Sequence, residues 1–473
     1  MMNEGGRSFI KNFVGFSLVT WISFALSFLT APISTRLFEP DVLGKINIFN
    51  TYLNLFGILV LLGLDQAYVR FYYERPLNKS VHYLFTFCIA ITYAIIFLCF
   101  VITIPFQDDL SELLFQEGDN LLLYLFGISV FTTATLRYLN LTYRMEKNIK
   151  LYTIQGVLIV LVSKVLYIGV GFWDPTYKPA LIVLTSSQLL LCVVFILIQS
   201  GRFEKLKTIE RAFVNKIFCY SIPLIPVSIL VWVNASIPQI MMQKYMDYYS
   251  IGIFVSALHL ANLILVIQSG FNTFWVPYTY ENYKTQTGQF FKVHRYLLCA
   301  LTLFSLIIVL SQDVIFLVLG EKYRAAKTFF PFLILSPVCY IIGETTGIGI
   351  SISRKTYLNL FVFIGSVIVN IIMCYLLHPI YGILGIAISV AFASIVAMCL
   401  KSYFGEINYK VIESYRYICY TVIAVIISAI ITAIDLTLEI RFLLLVSLLI
   451  TSIYFFRIEV VELSKYLYSF IKK

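Results

Sequence analysis

Residues 83–104 read YLFTFCIAITYAIIFLCFVITI, an apolar run without one charged side chain. An α-helix rises about 1.5 Å per residue, so a run of this length crosses the roughly 30 Å hydrocarbon core of a bilayer. A surface helix of a soluble domain would keep a polar face, and this segment has none. Comparable runs occupy residues 10–34, 46–68, 120–143, 151–172, 179–199 and 217–240, then 250–273, 296–318, 329–350, 358–377, 383–400, 417–436 and 442–456. Together they make about fourteen candidate spans, the last being the shortest. The expected fold class is therefore an all-α integral membrane protein.

Composition agrees with that reading. The 473 residues are 60% hydrophobic and 13% charged, against roughly 25% charged in an ordinary soluble domain, so too few charges remain to coat several globules. Nine cysteines lie scattered with no CxxC pair, which points to apolar packing and away from zinc or a disulfide framework; no metal or cofactor is expected. The first apolar run is too long for a cleavable signal peptide and is expected to stay in the protein.

Lysines and arginines fix the expected orientation, because short positive loops stay cytoplasmic. With the N-terminus inside, most of the 35 Lys and Arg residues fall on the cytoplasmic side, and both termini are expected there. Asp108, Asp109, Glu112, Glu117 and Asp119 gather in one external loop. The net charge of +10 is thus a topology signal; spread over many short loops, it forms no face for nucleic acid. Trp173, Tyr177, Trp275 and Tyr278 stand at span ends, as interfacial aromatic residues do. No loop exceeds about two dozen residues, which leaves no room for an extramembrane catalytic domain.

The chain also matches itself. A shift of 208 residues places Arg36 on Lys244, Glu39 on Asp247, Gly44 on Gly252 and Asn54 on Asn262; a shift of 207 places Lys147 on Arg354 and Arg137 on Glu344. Such a repeat divides the chain into an N-terminal six-helix lobe (1–205), a second six-helix lobe (206–405), and two additional C-terminal helices with a cytoplasmic tail (406–473).

Several stretches carry a family resemblance: RLFEPDVLGKINIF (36–49), LLGLDQAYVRFYYE (61–74), YSIGIFVSALHL (249–260), FNTFWVPYTYEN (271–282), VLGEKYRAAKTFFPFLIL (318–335), SRKTYLNL (353–360) and HPIYGILGIAISV (378–390). In this order they resemble the Wzx-type polysaccharide-export flippases of the multidrug/oligosaccharidyl-lipid/polysaccharide superfamily. The resemblance implies a V-shaped pair of lobes in the bacterial cytoplasmic membrane. It implies alternating access that moves undecaprenyl-diphosphate-linked oligosaccharide repeat units from the cytoplasmic to the outer leaflet, for O-antigen or capsule synthesis. Glycan polymerase and chain-length machinery would be the implied partners. A multidrug or cation exporter of the same fold is the nearest alternative, and a membrane-embedded glycan polymerase or glycosyltransferase is an alternative of another class.

Moving a diphosphate past hydrocarbon requires a wet, cationic path. Lys164 and Arg137 lie inside spans, where a central charge costs roughly 2.5–3.5 kcal/mol, and are the candidate substrate-binding cations. Either can also be satisfied by snorkelling. Glu344, repeat-matched to Arg137, is a candidate partner for it across the cavity, with Asn54 and Asn262 as further cavity groups. Arg70 stands at the expected entry side, Arg36 and Lys244 at the exit, all three also suited to interfacial anchoring. Asp65 and His259 are candidates for a coupling ion, H+ or Na+, against local capping and packing. Asn234, Gln239, Gln188, Asn370 and Gln268 add polar groups within spans, and Pro223, Pro226 and Pro238 make the seventh span a candidate gate.

Overall fold

The computed structural model describes the backbone of residues 4–74, 80–116, 118–206, 211–266, 268, 275, 278–279, 281–283 and 287–471; side chains are described from Val19 to Lys465, except at positions 20, 212 and 287. A helix lies under each predicted span. Among the described residues, 9 helices are long and apolar enough to cross a membrane, or up to 11 if each bent pair is one span. The end of the predicted span 250–273 and most of FNTFWVPYTYEN lie outside the described residues.

The helices show why water is the wrong solvent for them. The span Val81–Phe115 has a mean hydropathy of 2.7, yet only 22% of its most apolar window is buried inside the protein. Phe97 and Leu190 are 69% and 67% exposed. Hydrocarbon must cover such faces, whereas the polar groups turn inward and bond between helices: Thr92 to Tyr138 at 3.0 Å, Ser129 to Thr185 at 3.0 Å and Tyr93 to Thr135 at 3.0 Å. Trp173, 84% exposed, fits the interfacial belt. Trp275 does not, for it is 1% exposed and packs edge-on against Phe290, where burying its large ring outweighs wetting its indole N–H.

The chain packs as two compact units, Met1–Trp232 and Val233–Lys473. In the first, α1 (Glu4–Leu37), α2 (Pro40–Leu61), α3 (Leu64–Phe71), α4 (Val81–Thr103), α5 (Gln107–Phe115) and α6 (Asn120–Met145) are followed by α7 (Ile149–Leu161), α8 (Tyr167–Val170), α9 (Tyr177–Ile198) and α10 (Arg211–Ser221). The helix α11 (Leu224–Tyr245) contains the division between the units. The division falls later than the lobe boundary expected at 205/206 because the start of the seventh span is stitched to the first unit. Phe213 and Tyr220 pack on Phe71, and Trp232 donates its indole N–H to the Thr51 carbonyl at 2.9 Å.

The second unit continues with α12 (Tyr248–Ala261), α13 (Thr287–Leu310), α14 (Gln312–Val318), α15 (Phe330–Thr346), α16 (Ile348–Ile352), α17 (Leu358–Asn408), α18 (Tyr415–Ala433), α19 (Leu438–Phe455) and α20 (Arg457–Ile471). The long α17 is two spans broken at Gly382, whose φ of 56° and ψ of −130° suit only glycine, close to Pro379. The C-terminal helices belong to this unit and are bonded to α13 and α14. Thr302 donates to Thr421 at 2.9 Å, Arg295 pairs with Glu459, and Arg441 reaches Asp313 at 2.7 Å.

Both units carry the same backbone devices at repeat-matched positions. After α6, Lys147 adopts φ 57°, the Asn148 N–H donates to the Tyr143 carbonyl at 3.0 Å, and the Lys147 N–H to Arg144 at 3.1 Å. After α16, Arg354 adopts φ 60°, Lys355 donates to Ile350 at 3.0 Å, and Arg354 to Ser351 at 3.1 Å. Both are Schellman caps, a geometry usually given to glycine. The starts match too: Glu39 is the N-cap of α2 and Asp247 that of α12.

Candidate functional site

Several of the predicted spans contain breaks, and candidate charges stand at two of them, in the spans 46–68 and 151–172. The span 46–68 is not one helix. It bends by 52° between α2 and α3, where Leu62 and Gly63 take positive φ of 46° and 70°. A Cβ on Gly63 would lie 2.8 Å from the carbonyl oxygen of Ser221, so glycine answers both the backbone angle and the close approach. Ser221 ends α10, and Ile222 and Pro223 separate it from α11, so the break in the second span rests on the break in the seventh.

The first break decides the setting of Asp65. It places the carboxylate in the first turn of α3, where the helix dipole favours negative charge. Arg137, from the middle of α6, donates through Nε to its Oδ2 at 2.7 Å, and its second guanidinium nitrogen approaches the same oxygen at 2.5 Å. Gln66 donates to that oxygen at 3.0 Å. The Asp65 side chain is 6% exposed and that of Arg137 50%, so the pair has one face open. Two residues the sequence offered for different tasks, substrate contact and ion coupling, therefore share one bond.

Lys164 occupies the other break. Where a regular helix was expected, Val162–Leu166 forms a π-helical turn between α7 and α8. Such a turn inserts one residue into the ladder and re-aims its side chains, and it recurs at functional sites. The Lys164 ammonium donates to the Ser23 hydroxyl at 3.1 Å, to the Ser27 hydroxyl, and toward the Ser23 carbonyl at 3.4 Å. Among the described residues no carboxylate pairs with it. Ser23 and Ser27 stand four apart on one face of α1, a spacing that the sequence displays but that acquires meaning only once α1 lies beside α7.

In the second unit Glu344 of α15 pairs with Lys401 of α17. The lysine stem reaches it along a groove of small residues: a Cβ on Gly347 would meet Lys401 Cγ at 2.7 Å. Arg137 and Glu344 are thus each engaged within their own unit. Asn234 of α11 accepts from Ser366 at 2.9 Å, and Asn370 donates to the Asn234 carbonyl at 3.3 Å. Cys374 continues this stripe, its thiol 3.1 Å from the Ser389 hydroxyl. Ser366, Asn370 and Cys374 recur every four residues, a polar face that sequence periodicity displays, although only Asn370 stands out as a polar residue within a span.

The remaining candidates are placed singly. Asn54, Arg36, Lys244 and His259 are exposed and Asn262 is half-buried. Lys244 lies over the Tyr245 ring at 5.2 Å, and Arg70 pairs with Glu74 one turn on, both arrangements of helix ends. Among the described residues no group of three His, Cys, Asp or Glu side chains has the geometry to hold a metal ion.

Comparison with known proteins adds three findings. The model of a family described as polysaccharide biosynthesis protein matches residues 9–282. No curated protein matches the chain. Among solved structures, the lipid II flippase MurJ in an inward closed conformation is similar at 14% identity with a TM-score of 0.68, covering 97% of this chain and 99% of that one. An inward-facing multidrug resistance MATE family transporter of the MOP superfamily is similar at 14% identity, TM-score 0.53, over 81% and 94%. MATE in complex with MaL6 is similar at 14% identity, TM-score 0.55, over 84% and 95%. At such identities the likeness is one of fold.

Proposed function

We infer the function from a plain premise: the chain belongs to the polysaccharide biosynthesis protein family. Its family and fold are those of flippases and transporters, and it is not an enzyme. The cargo we propose is an oligosaccharide repeat unit on undecaprenyl diphosphate, carried from the cytoplasmic to the outer leaflet of the bacterial cytoplasmic membrane. The transport is alternating access by two repeated lobes, residues 1–205 and 206–405, with helices 406–473 appended and both termini cytoplasmic. Lys164 and Arg137 contact the diphosphate. Arg70 serves entry, and Arg36 and Lys244 serve exit.

The observation that carries this reading is the state of Lys164. Its ammonium is half-buried in a membrane span and is met by hydroxyls and one carbonyl, with no carboxylate among the described residues. A central charge at that depth costs roughly 2.5–3.5 kcal/mol, a cost that an arriving anion offsets. Ser23 and Ser27 hold the ammonium in place with neutral oxygens, which leaves it without a counter-charge among the described residues. A cationic drug would be repelled, which disfavours the multidrug reading.

The test is vesicle reconstitution with a lipid-linked oligosaccharide, scored by its exposure to a membrane-impermeant lectin. Lys164→Met is expected to slow translocation by about thirtyfold or more, the consequence of losing a charge contact worth 2–5 kcal/mol, while Lys164→Arg keeps part of the rate. Wild-type flux in Lys164→Met would overturn the assignment.

A further inference from the structure

The helix α20 carries its amphipathic pattern inside out. Glu459 is buried and accepts from Arg295 Nε at 2.8 Å; Glu413 approaches the same guanidinium at 3.5 Å, and the Tyr417 ring centre lies 4.8 Å from it. Tyr296 donates to the carboxylate of Glu462. Both acids of α20 within the described side chains are thus engaged by α13. On the outer face, Ile458 and Val461 are 57% and 50% exposed. A helix surrounded by water turns its apolar side chains inward and its carboxylates outward, the reverse of this arrangement.

The position of the helix says what covers that face. The apolar run of the last span ends at residue 456 and that of α13 begins at 296, so the pair of Arg295 and Glu459 stands at the membrane boundary at this end of the second unit. Phe456, with φ −94° and ψ 22°, interrupts the helix there, and α20 starts at the next residue. The outer face adjoins the hydrocarbon-facing side of α19, where Leu443, Ile450 and Tyr454 are exposed, and the Arg457 guanidinium lies 5.3 Å from the centre of the Tyr454 ring.

The same face carries charge of one sign. Arg457 lies four residues before Val461 and Lys465 four after it, which sets both in one row with the exposed apolar pair. Both cations are exposed, and among the described residues no carboxylate pairs with either. Apolar side chains flanked by cations at a membrane boundary are the make-up of a helix lying in the headgroup layer, where each basic residue attracts anionic lipid. A zwitterionic lipid brings an ammonium along with its phosphate, so the net attraction is for a headgroup without one.

We propose that α20 is an interfacial helix whose outer row, Arg457, Ile458, Val461 and Lys465, binds anionic phospholipid of the adjoining leaflet, its apolar pair among the upper chain carbons and its cations on the phosphates. The bonds to Arg295 and Tyr296 set the rotation of the helix, holding its acids on the protein side. This contact is with the bilayer and stands whether or not the cargo assignment does.

A tryptophan in the row reads both its surroundings and the headgroup. The full chain carrying Val461→Trp is reconstituted in liposomes, its emission is corrected for that of the parent chain, and brominated phosphatidylglycerol or brominated phosphatidylcholine is added at equal mole fraction; Ile458→Trp serves should the first variant not fold. The added emission is expected to be quenched by brominated chains and not by aqueous acrylamide, with phosphatidylglycerol preferred. Arg457→Gln and Lys465→Gln are each expected to lower that preference about fivefold, one charge near the membrane surface apiece, and Arg457→Lys to keep it. Equal quenching by the two lipids, a preference untouched by both neutral variants, quenching by acrylamide alone, or emission shielded from every quencher, as by a second copy of the chain on the row, would each overturn the proposal.

Discussion

At repeat-matched positions the first unit carries Arg137 and the second Glu344, and each is neutralised by a residue without an equivalent in the other half. Asp65 serves Arg137. Its position 208 residues on is Thr273. Lys401 serves Glu344, and 207 residues earlier the chain has Val194. Meanwhile the Schellman caps at Lys147 and Arg354 agree bond for bond. Helix ends can agree where side chains differ, because the backbone groups they satisfy are the same whatever the side chains do. Charges need not agree, because an intramembrane ion pair needs only that the two signs meet.

The two carboxylates also differ in how deeply they are set, and that difference orders the expected effects. Asp65 is 6% exposed in a helix's first turn, whereas Glu344 and Lys401 are 27% and 21% exposed. Asp65→Asn leaves a guanidinium without its counter-charge and is expected to cost about 2–3 kcal/mol, somewhat less than a fully buried pair because Arg137 is half exposed. The double variant Asp65→Asn with Arg137→Gln should recover most of this loss, read by reversible unfolding in mixed micelles. An unrecovered double variant would mean that Asp65 acts chiefly on the α3 N-terminus.

Glu344→Gln is expected to cost about 1 kcal/mol, since the amide still accepts a bond and the lysine stem keeps its glycine groove. A loss equal to that of Asp65→Asn would erase the contrast drawn between the two units. The smallest effects belong to the shared caps. Lys147→Gly and Arg354→Gly relieve a left-handed backbone and are each expected to stabilise by about 0.5 kcal/mol, after the extra entropy of an unfolded glycine is subtracted. Matching gains would sharpen the case for one ancestral unit. Opposite signs would break it.

Much of the fold was legible before any coordinates. Spans follow from hydropathy because a helix in hydrocarbon has to satisfy its own backbone, which leaves little else for an apolar run of twenty residues to become. The matching helix ends were legible in Glu39 and Asp247, and in Lys147 and Arg354, because caps depend on a few neighbouring residues. The candidate site was legible as a set of costly charges but not as a set of bonds. Arg137 and Asp65 lie 72 residues apart, and Lys164 lies more than a hundred from Ser23. Pattern along the chain carries no information about such partners. Trp275 shows the same limit: its place near a span end suggested an interface anchor, and packing made it core.

What the sequence determined by itself was local and solvent-driven: which segments enter the membrane, where helices stop, and how many charges they carry inside. Tertiary structure alone decided that Gly63 lies against Ser221, that Val162–Leu166 opens into a π-turn, and that one lysine stands beside two serines while an arginine meets an aspartate. The physical reason is range. Burial of apolar surface and backbone satisfaction act through each residue's own environment, whereas the strength of a charge contact depends on a distance that only the packed helices set.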